Sequence, residues 1–182
     1  MLITKAARRY ATALLESAKE TNTVDDILAD INLIKNTLED SRELIMFLRS
    51  PVIKFDDKTE ALEKIFRDRV QEMTNRFLQL LARKNRIYLL DQITEAFIQR
   101  YNKFAGIIKI EVYTAYELDD AQQEKLHKAL EEKTGKKVDM NLNLDESLKG
   151  GLAVRIEDTV IDGTVKYKLQ ELEQKFLSTA IE

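Results

Sequence analysis

The chain has 182 residues, a length that suits one domain or two small ones. Hydrophobic residues make up 44% and charged residues 34%, a composition that can form a folded core and argues against disorder. The net charge of −3 divides into +2 over residues 1–105 and −5 over residues 106–182, with no concentrated basic patch in either part, so nucleic-acid binding is disfavoured. The absence of cysteine excludes disulfides, thiol nucleophiles and thiolate metal ligands.

Residues 1–105 carry apolar side chains at the spacing of three and four residues that predicts amphipathic helices. Thr23, followed three residues later by Asp26, resembles a capping box for the second helix. Pro51 is predicted to end the third helix, because the residue before a proline avoids helical angles. Six helices with short connections predict an antiparallel bundle. The six predicted apolar faces span residues 3–14, 24–38, 44–48, 62–66, 73–81 and 90–101.

The periodicity changes at Gly106, where alternation of apolar and polar residues replaces the helical spacing. Residues 107–118 and 137–144 alternate with the period of two that predicts strands. The helix between them is predicted to open on a capping box formed by Asp119 and Gln122.

Two short strands and a last helix complete the predicted order. A turn at 150–151, a strand at 152–156 and a hairpin turn at 157–159 lead to a short strand at 160–161. Residues 162–164 then open the last helix, whose apolar face is predicted to point inward. That face consists of Val165, Leu169, Leu172 and Phe176.

The pattern therefore predicts a mainly α protein with two domains. Residues 1–105 form an N-terminal six-helix antiparallel bundle, and residues 106–182 form a small C-terminal α+β domain. The boundary depends on the change of periodicity alone, because no linker rich in Pro, Gly or Ser separates the two parts.

The sequence shows no catalytic, cofactor-binding or metal-binding constellation. His127 stands between Lys125 and Lys128, without the converging ligands of a metal site or the matched nucleophile and acid of a triad. It is interpreted as a solvated surface histidine. Gly163 and Thr164 are interpreted as a helix cap rather than an anion site. Most adjacent carboxylate pairs precede or start helices, where capping explains them.

A helix-rich chain of this kind is more consistent with an interaction module than with an enzyme. The first helix carries Ala6, Ala11, Ala13 and Ala18 beside its apolar face, and small residues allow another helix to approach closely. From the residues alone, packing inside the bundle and contact with a partner are equally compatible with these alanines.

Two segments together resemble a known family. Residues 7–14 (ARRYATAL) resemble the opening helix of the ATP synthase delta subunit, called the oligomycin-sensitivity-conferring protein in mitochondria. Residues 147–165 resemble that family's C-terminal signature more closely, with a double glycine, an arginine, a Val-Ile-Asp and a following helix with spaced leucines. Pro51 and residues 85–87 also fall where the family has similar residues, so the resemblance covers the whole chain.

The resemblance implies a non-catalytic stator subunit of the rotary proton-translocating ATP synthase. Such a subunit links the catalytic head of alpha and beta subunits to the peripheral stalk and resists rotor torque. Its N-terminal domain receives the N-terminal helix of an alpha subunit in a groove between the first and fifth helices. The implied groove residues are Tyr10, Ala13, Leu14, Phe77, Leu80 and Leu81.

The resemblance also implies that the C-terminal domain holds the ends of the b subunits of the peripheral stalk. One copy of the chain is expected per complex, with no cofactor and no nucleic-acid partner. The implied C-terminal signature residues, structural or stalk-binding, are Gly150, Gly151, Arg155 and Asp162.

The sequence also bears on location and on other functions. No apolar run approaches the roughly 20 residues that span a bilayer, and the N-terminus lacks the apolar region of a signal peptide. With no evident transit peptide, the expected location is the cytoplasmic face of a bacterial plasma membrane, with a processed organellar chain as the alternative. Two other functions stay open: a helical adaptor of another assembly, such as an RNA-linked regulatory factor, and a small enzyme with an unrecognised site.

Overall fold

A computed structural model describes residues 3–156 and 158–179, and the side chains up to Phe176. The chain divides into two units, Met1–Phe104 and Ala105–Glu182, one residue from the predicted boundary. All six predicted helical segments of the first unit are α-helical. These helices are α1 (Lys5–Glu20), α2 (Val24–Asp40), α3 (Arg42–Arg49), α4 (Phe55–Phe66), α5 (Glu72–Arg83) and α6 (Leu90–Ala105), with a 3-10 turn at Ile87–Leu89 before α6.

One apolar core joins the helices of this first unit, called here the helical unit. Each of the six helices contributes at least one buried apolar side chain, so every predicted face has a buried member. The largest fully buried side chains are Phe66, Phe97, Ile27, Ile31, Ile34, Leu81, Ile87, Leu90 and Ile93.

Local chemistry sets some of the helix ends. Thr4 caps α1, and Ser41 caps α3 by accepting a hydrogen bond from the Leu44 amide at 3.1 Å. Helix α3 ends at Arg49, as Pro51 predicts. The predicted capping box at Thr23 is wrong, because this side chain makes no capping hydrogen bond and its hydroxyl instead lies 2.7 Å from that of Thr21.

A buried carboxylate joins α2 to the start of α5. Asp30 is 6% exposed, and its Oδ2 accepts hydrogen bonds from the Thr74 hydroxyl at 2.6 Å and from the Gln71 amide at 2.8 Å. The N-cap residue of α5, Gln71, makes no side-chain capping bond of its own. Asp30 therefore supplies the cap of α5 from another helix, where the helix dipole also favours a negative charge.

The second unit, called here the α+β unit, has the predicted element order. Its sheet has the order β2-β1-β3-β4, in which β1 and β2 are parallel and the other pairs are antiparallel. The predicted turn residue Glu157 lies outside the described residues. The elements are β1 (Ile107–Thr114), α7 (Asp120–Thr134), β2 (Lys137–Leu144), β3 (Leu152–Ile156), β4 (Thr159–Asp162) and α8 (Val165–Thr179).

One face of this sheet packs against α7. In register, Val112 of β1 stands between Leu142 of β2 and Val154 of β3, and Leu130 of α7 belongs to the same core. The predicted capping box of α7 is confirmed, since the Asp119 side chain and the Gln122 side chain each bond the other's backbone amide. The chain is thus mainly α, as predicted, and its small sheet is mixed.

The inward orientation predicted for the last helix is wrong. Every described side chain of α8, from Val165 to Phe176, is exposed. The four residues of the predicted inward face are 42% to 73% exposed, because neither the sheet nor α7 covers this face within the described residues.

Replacement of Asp30 tests the cap supplied from α2. We expect Asp30→Ala to lower the free energy of unfolding by about 2–3 kcal/mol, because the buried Thr74 hydroxyl and the Gln71 amide would lose their acceptor. Denaturant titration measures this change. The exposed Asp68 is the matched control, and Asp68→Ala should change stability by less than about 0.5 kcal/mol. Equal effects of the two substitutions would contradict the assignment.

Candidate functional site

The single histidine, His127, joins two elements of the fold through a hydrogen bond. His127 Nε2 lies 2.9 Å from the Val138 carbonyl oxygen, and its Nδ1 lies 3.7 Å from Glu131 on the same helix. The residue is half-buried and joins α7 to β2, which corrects its interpretation as a solvated surface histidine.

Within residues 3–156 and 158–179, no group of three or more His, Cys, Asp or Glu could hold a metal ion. Among the described helices, none is both long and apolar enough to cross a membrane.

Two of the six predicted groove residues contact each other across α1 and α5. The rings of Tyr10 and Phe77 contact edge to face, with centroids 6.5 Å apart and planes inclined by 68°. Tyr10 is half-buried and Phe77 is 7% exposed. Such an aromatic pair stabilises the fold by more than the burial of its apolar surface alone, and it joins the two helices at this point.

The other four predicted groove residues separate into two kinds. Leu14 and Leu81 are 3% and 0% exposed and belong to the core of the helical unit. Ala13 is exposed and Leu80 is 43% exposed. Leu14 and Leu81 are therefore core residues, while Ala13 and Leu80 expose apolar atoms at the surface.

The remaining alanines of α1 pack inside the helical unit. Ala11 and Ala18 are fully buried, and Ala6 is partly buried against the same core. Only Ala13 among the four predicted small residues is exposed. Internal packing therefore explains three of them, and contact with a partner is limited to Ala13.

The double glycine of the C-terminal signature anchors the start of α8. Gly151 has φ +75°, and a Cβ atom there would lie 2.5 Å from the Gly163 carbonyl oxygen. The Gly150 carbonyl accepts a hydrogen bond from the Val165 amide at 2.9 Å, and the Leu152 carbonyl accepts one from the Gly163 amide at 3.0 Å. Only glycine fits at 151, so this part of the signature has a structural role.

Asp162 stabilises the same junction, at the start of α8. Its carboxylate accepts a hydrogen bond from the Thr164 amide at 2.9 Å, and the buried Thr164 hydroxyl accepts one from the Tyr167 amide at 3.1 Å. The predicted helix cap at Gly163 and Thr164 is confirmed, with the Thr164 side chain as the capping group. Asp162 therefore fixes the direction in which α8 leaves the sheet.

Arg155 lies away from this junction, on β3. It stands opposite Glu111 of β1, whose carboxylate accepts a hydrogen bond from the Tyr113 hydroxyl at 3.0 Å. That hydrogen bond raises the pKa of Tyr113 above its ordinary value, while nearby Arg155 acts in the opposite direction. Because Glu111 and Arg155 carry opposite charges and lie opposite each other, they favour the pairing of β1 with β3. Arg155 is exposed, so its charged side chain is also accessible.

An apolar stripe runs along the described part of α8, and sequence reasoning missed its exposure. Its members recur at intervals of four, three and four residues and so lie along one side of the helix. Helical periodicity identifies such a stripe, but it gives the same signal for a core face and for a binding face. We call it the α8 stripe; it consists of Val165, Leu169, Leu172 and Phe176, which are 42%, 51%, 49% and 73% exposed.

Comparison with known proteins identifies the family. The family described as ATP synthase delta (OSCP) subunit matches residues 6–176. The chain belongs to this family. It is 38% identical to the ATP synthase subunit delta of Chlorobium chlorochromatii over 98% of this chain and 99% of that protein. It is 40% identical to the ATP synthase subunit delta of Chlorobaculum tepidum over 95% of this chain and 96% of that protein.

The fold agrees with the family assignment. A chain of the Toxoplasma gondii mitochondrial ATP synthase hexamer superposes with a TM-score of 0.75, at 23% identity, over 96% of this chain and 98% of that chain. The delta (OSCP) subunit is a non-catalytic structural subunit of ATP synthase, which is membrane-associated through the complex. The predicted family and the absence of a catalytic role are thereby confirmed, and the alternative of a small enzyme is not supported.

Substitution of Gly151 tests the structural role of the double glycine. We expect Gly151→Ala to lower the free energy of unfolding by more than about 3 kcal/mol, because strain at positive φ adds to the clash with the Gly163 carbonyl. The control is Gly135→Ala, which has a similar φ of +65° but open space around the new methyl group. It should cost about 1–2 kcal/mol, and equal losses in thermal unfolding would contradict the clash.

Proposed function

We propose that the chain is the stator adaptor of a rotary proton-translocating ATP synthase. It would join the catalytic head to the b subunits of the peripheral stalk and resist the torque of the rotor. The observation that carries this proposal is that each unit presents its own apolar surface, one between α1 and α5 and the other along α8. A linking subunit requires two such separate surfaces, and attachment at both ends adds avidity.

The helical unit would bind the N-terminal helix of an alpha subunit. In this proposal its six helices form the predicted antiparallel bundle, and α1 and α5 border the groove. The small side chain of Ala13 would allow the partner helix to approach closely. Leu80 and the edge of Tyr10 would contact the apolar side of that helix. Phe77 packs against Tyr10 and so joins α5 to α1. Helix-in-groove recognition depends on apolar anchors spaced in this way.

Leu80 provides the cleanest test of this groove. We expect Leu80→Asp to weaken binding of a synthetic peptide from the N-terminus of the cognate alpha subunit at least roughly tenfold, because the carboxylate would be desolvated on binding. Since Leu80 is 43% exposed, thermal unfolding should change little.

Isothermal titration calorimetry measures the affinity, and the heat-capacity change should be negative for the unsubstituted chain. Met46 is 65% exposed on α3, so Met46→Asp is the matched control and should bind the peptide normally. Retained affinity in Leu80→Asp would refute the groove, whereas loss in both variants would point to a general effect of added negative charge.

The α+β unit would bind the ends of the b subunits through the α8 stripe. An isolated helix of 15 residues is marginal in water, and α8 has no covering layer within the described residues. A partner helix that packs on the stripe would bury its four apolar side chains and stabilise α8. The double glycine, Asp162 and Thr164 fix the start of the helix and so orient the stripe.

Phe176 tests the stalk assignment. We expect Phe176→Asp to reduce binding of a peptide from the C-terminal end of the cognate b subunit at least roughly tenfold, because it is the most exposed apolar side chain of the stripe. Tyr116 is 72% exposed and lies outside α8, so Tyr116→Asp is the control. Pull-down or calorimetry with the full chain measures binding. Normal binding by Phe176→Asp and Leu172→Asp would exclude the stripe as the stalk site.

We further propose that the complex lies at a bacterial plasma membrane, with this chain on the cytoplasmic side and present once. The relatives from Chlorobium and Chlorobaculum are bacterial and support this location. Mass spectrometry of the intact complex, purified from its native membrane, tests the single copy. Two copies per complex would contradict it.

A further inference from the structure

A second groove of the helical unit gathers positive charges that are scattered in the sequence. It lies between the segment 49–58, which joins α3 to α4, and the segment 83–88, which follows α5, and it has a volume of about 890 Å³. We call it the basic groove. None of the six residues predicted for the alpha-subunit groove lines it. Its cationic lining residues are Arg49, Lys54, Lys58, Arg83 and Arg86.

Two of these cations are held by the fold itself. Arg49 forms an ion pair with Asp91 at the start of α6. Lys58 is only 7% exposed, and its Nζ donates a hydrogen bond to the Ser50 carbonyl at 2.6 Å. Within the described residues no carboxylate lies within ion-pair distance of Lys58. A largely buried ammonium whose described partner is a neutral carbonyl leaves positive charge to be compensated from outside.

The other three cations face solvent. Lys54, Arg83 and Arg86 are exposed, and none of them forms an ion pair with another residue in the described parts of the chain. No Asp or Glu lines the groove, since Asp56 and Asp57, in the first turn of α4, are not among its lining residues. The groove therefore complements a negatively charged ligand.

Apolar side chains stand among these cations. Val52 is 87% exposed, Tyr88 is 39% exposed and Phe55 is 36% exposed, and all three line the groove. Inorganic phosphate would leave these side chains uncovered. Nucleic acid requires a basic surface that follows an extended backbone, whereas residues 1–105 carry a net charge of only +2. An acidic peptide with an apolar or aromatic residue matches both properties of the lining.

We propose that the basic groove binds an acidic peptide segment of another protein, with carboxylates on Arg83, Arg86 and Lys54 and an apolar side chain against Val52 and Tyr88. This contact is additional to the two attachments of the stator function. It would give the helical unit a second partner, or a second point of attachment to the same assembly, through charge rather than through an apolar helix.

Fluorescence anisotropy with the full chain tests the proposal. The probe is a fluorescein-labelled synthetic peptide of glutamate, leucine and phenylalanine, and its comparison is the same peptide with lysine in place of glutamate. We expect the acidic peptide to bind, the lysine peptide not to bind, and added salt to weaken the complex. The double variant R83E/R86E should bind the acidic peptide at least roughly tenfold more weakly.

Matched controls separate a local effect from net charge. The variant K125E/K133E changes two exposed lysines of α7 and the net charge by the same amount, and it should bind normally. Val52→Glu, at an exposed loop position, should weaken binding without any change in thermal unfolding. Equal losses in R83E/R86E and K125E/K133E, or full binding by R83E/R86E, would overturn the proposal.

Two further measurements decide between ligand classes and between surfaces. Tighter binding of single-stranded oligothymidine, or of phosphatidylserine vesicles, than of the acidic peptide would also overturn the proposal. The alpha-subunit peptide should bind R83E/R86E with unchanged affinity, because the two grooves share no lining residue. Its loss in that variant would show that the basic groove is not a separate site, while its failure to bind even the unsubstituted chain would refute only the stator groove.

Discussion

An amphipathic helix must cover its apolar stripe, and the two units of this chain meet that requirement differently. In the helical unit, a single core takes apolar side chains from all six helices, and its central members are fully buried. In the α+β unit, the core consists of one sheet face and α7, and no described side chain of α8 belongs to it. Exposure of such a stripe to water is unfavourable, so its burial by a partner, as proposed for the stalk, would stabilise α8.

Local hydrogen bonds present α8 in one direction despite its lack of cover. The backbone bonds from Gly163 and Val165 to the 150–152 turn hold the start of the helix against β3. Thr164 and Asp162 satisfy amide groups that the first helical turn would otherwise leave open. Glycine is required at 151 because a Cβ atom there would lie 2.5 Å from the Gly163 carbonyl oxygen. Three signature residues, Gly150, Gly151 and Asp162, therefore position the start of α8 and orient its exposed stripe.

The helical unit carries apolar and charged surfaces on separate parts. The rings of Tyr10 and Phe77 join α1 to α5, and Ala13 and Leu80 expose apolar atoms on these two helices. The basic groove instead offers uncompensated cations beside exposed apolar side chains. Apolar burial gives affinity that salt hardly affects, whereas charge complementarity speeds association and fixes orientation. In the proposed stator function, a subunit that must stay attached under torque would gain from contacts of both kinds.

Most features that depend on neighbours along the chain follow from the sequence alone, although the capping box predicted at Thr23 does not form. The spacing of apolar residues located all six helices of the first unit, and alternation located the strands β1 and β2. The capping box of α7 and the end of α3 before Pro51 follow from local chemistry. The motif at 147–165 was sufficient to indicate the family.

Only the tertiary structure decided which apolar residues are covered and which polar groups meet. Periodicity states that residues share a face, but not what lies against that face, so Leu81 and Leu80 look alike in sequence while one is fully buried and the other is not. For the same reason, periodicity predicts the α8 stripe to be a core face, although it is exposed. The cap that Asp30 places on α5 joins residues 41 and 44 positions apart, and the basic groove joins two segments separated along the chain. Such contacts arise from folding in space, and no local pattern encodes them.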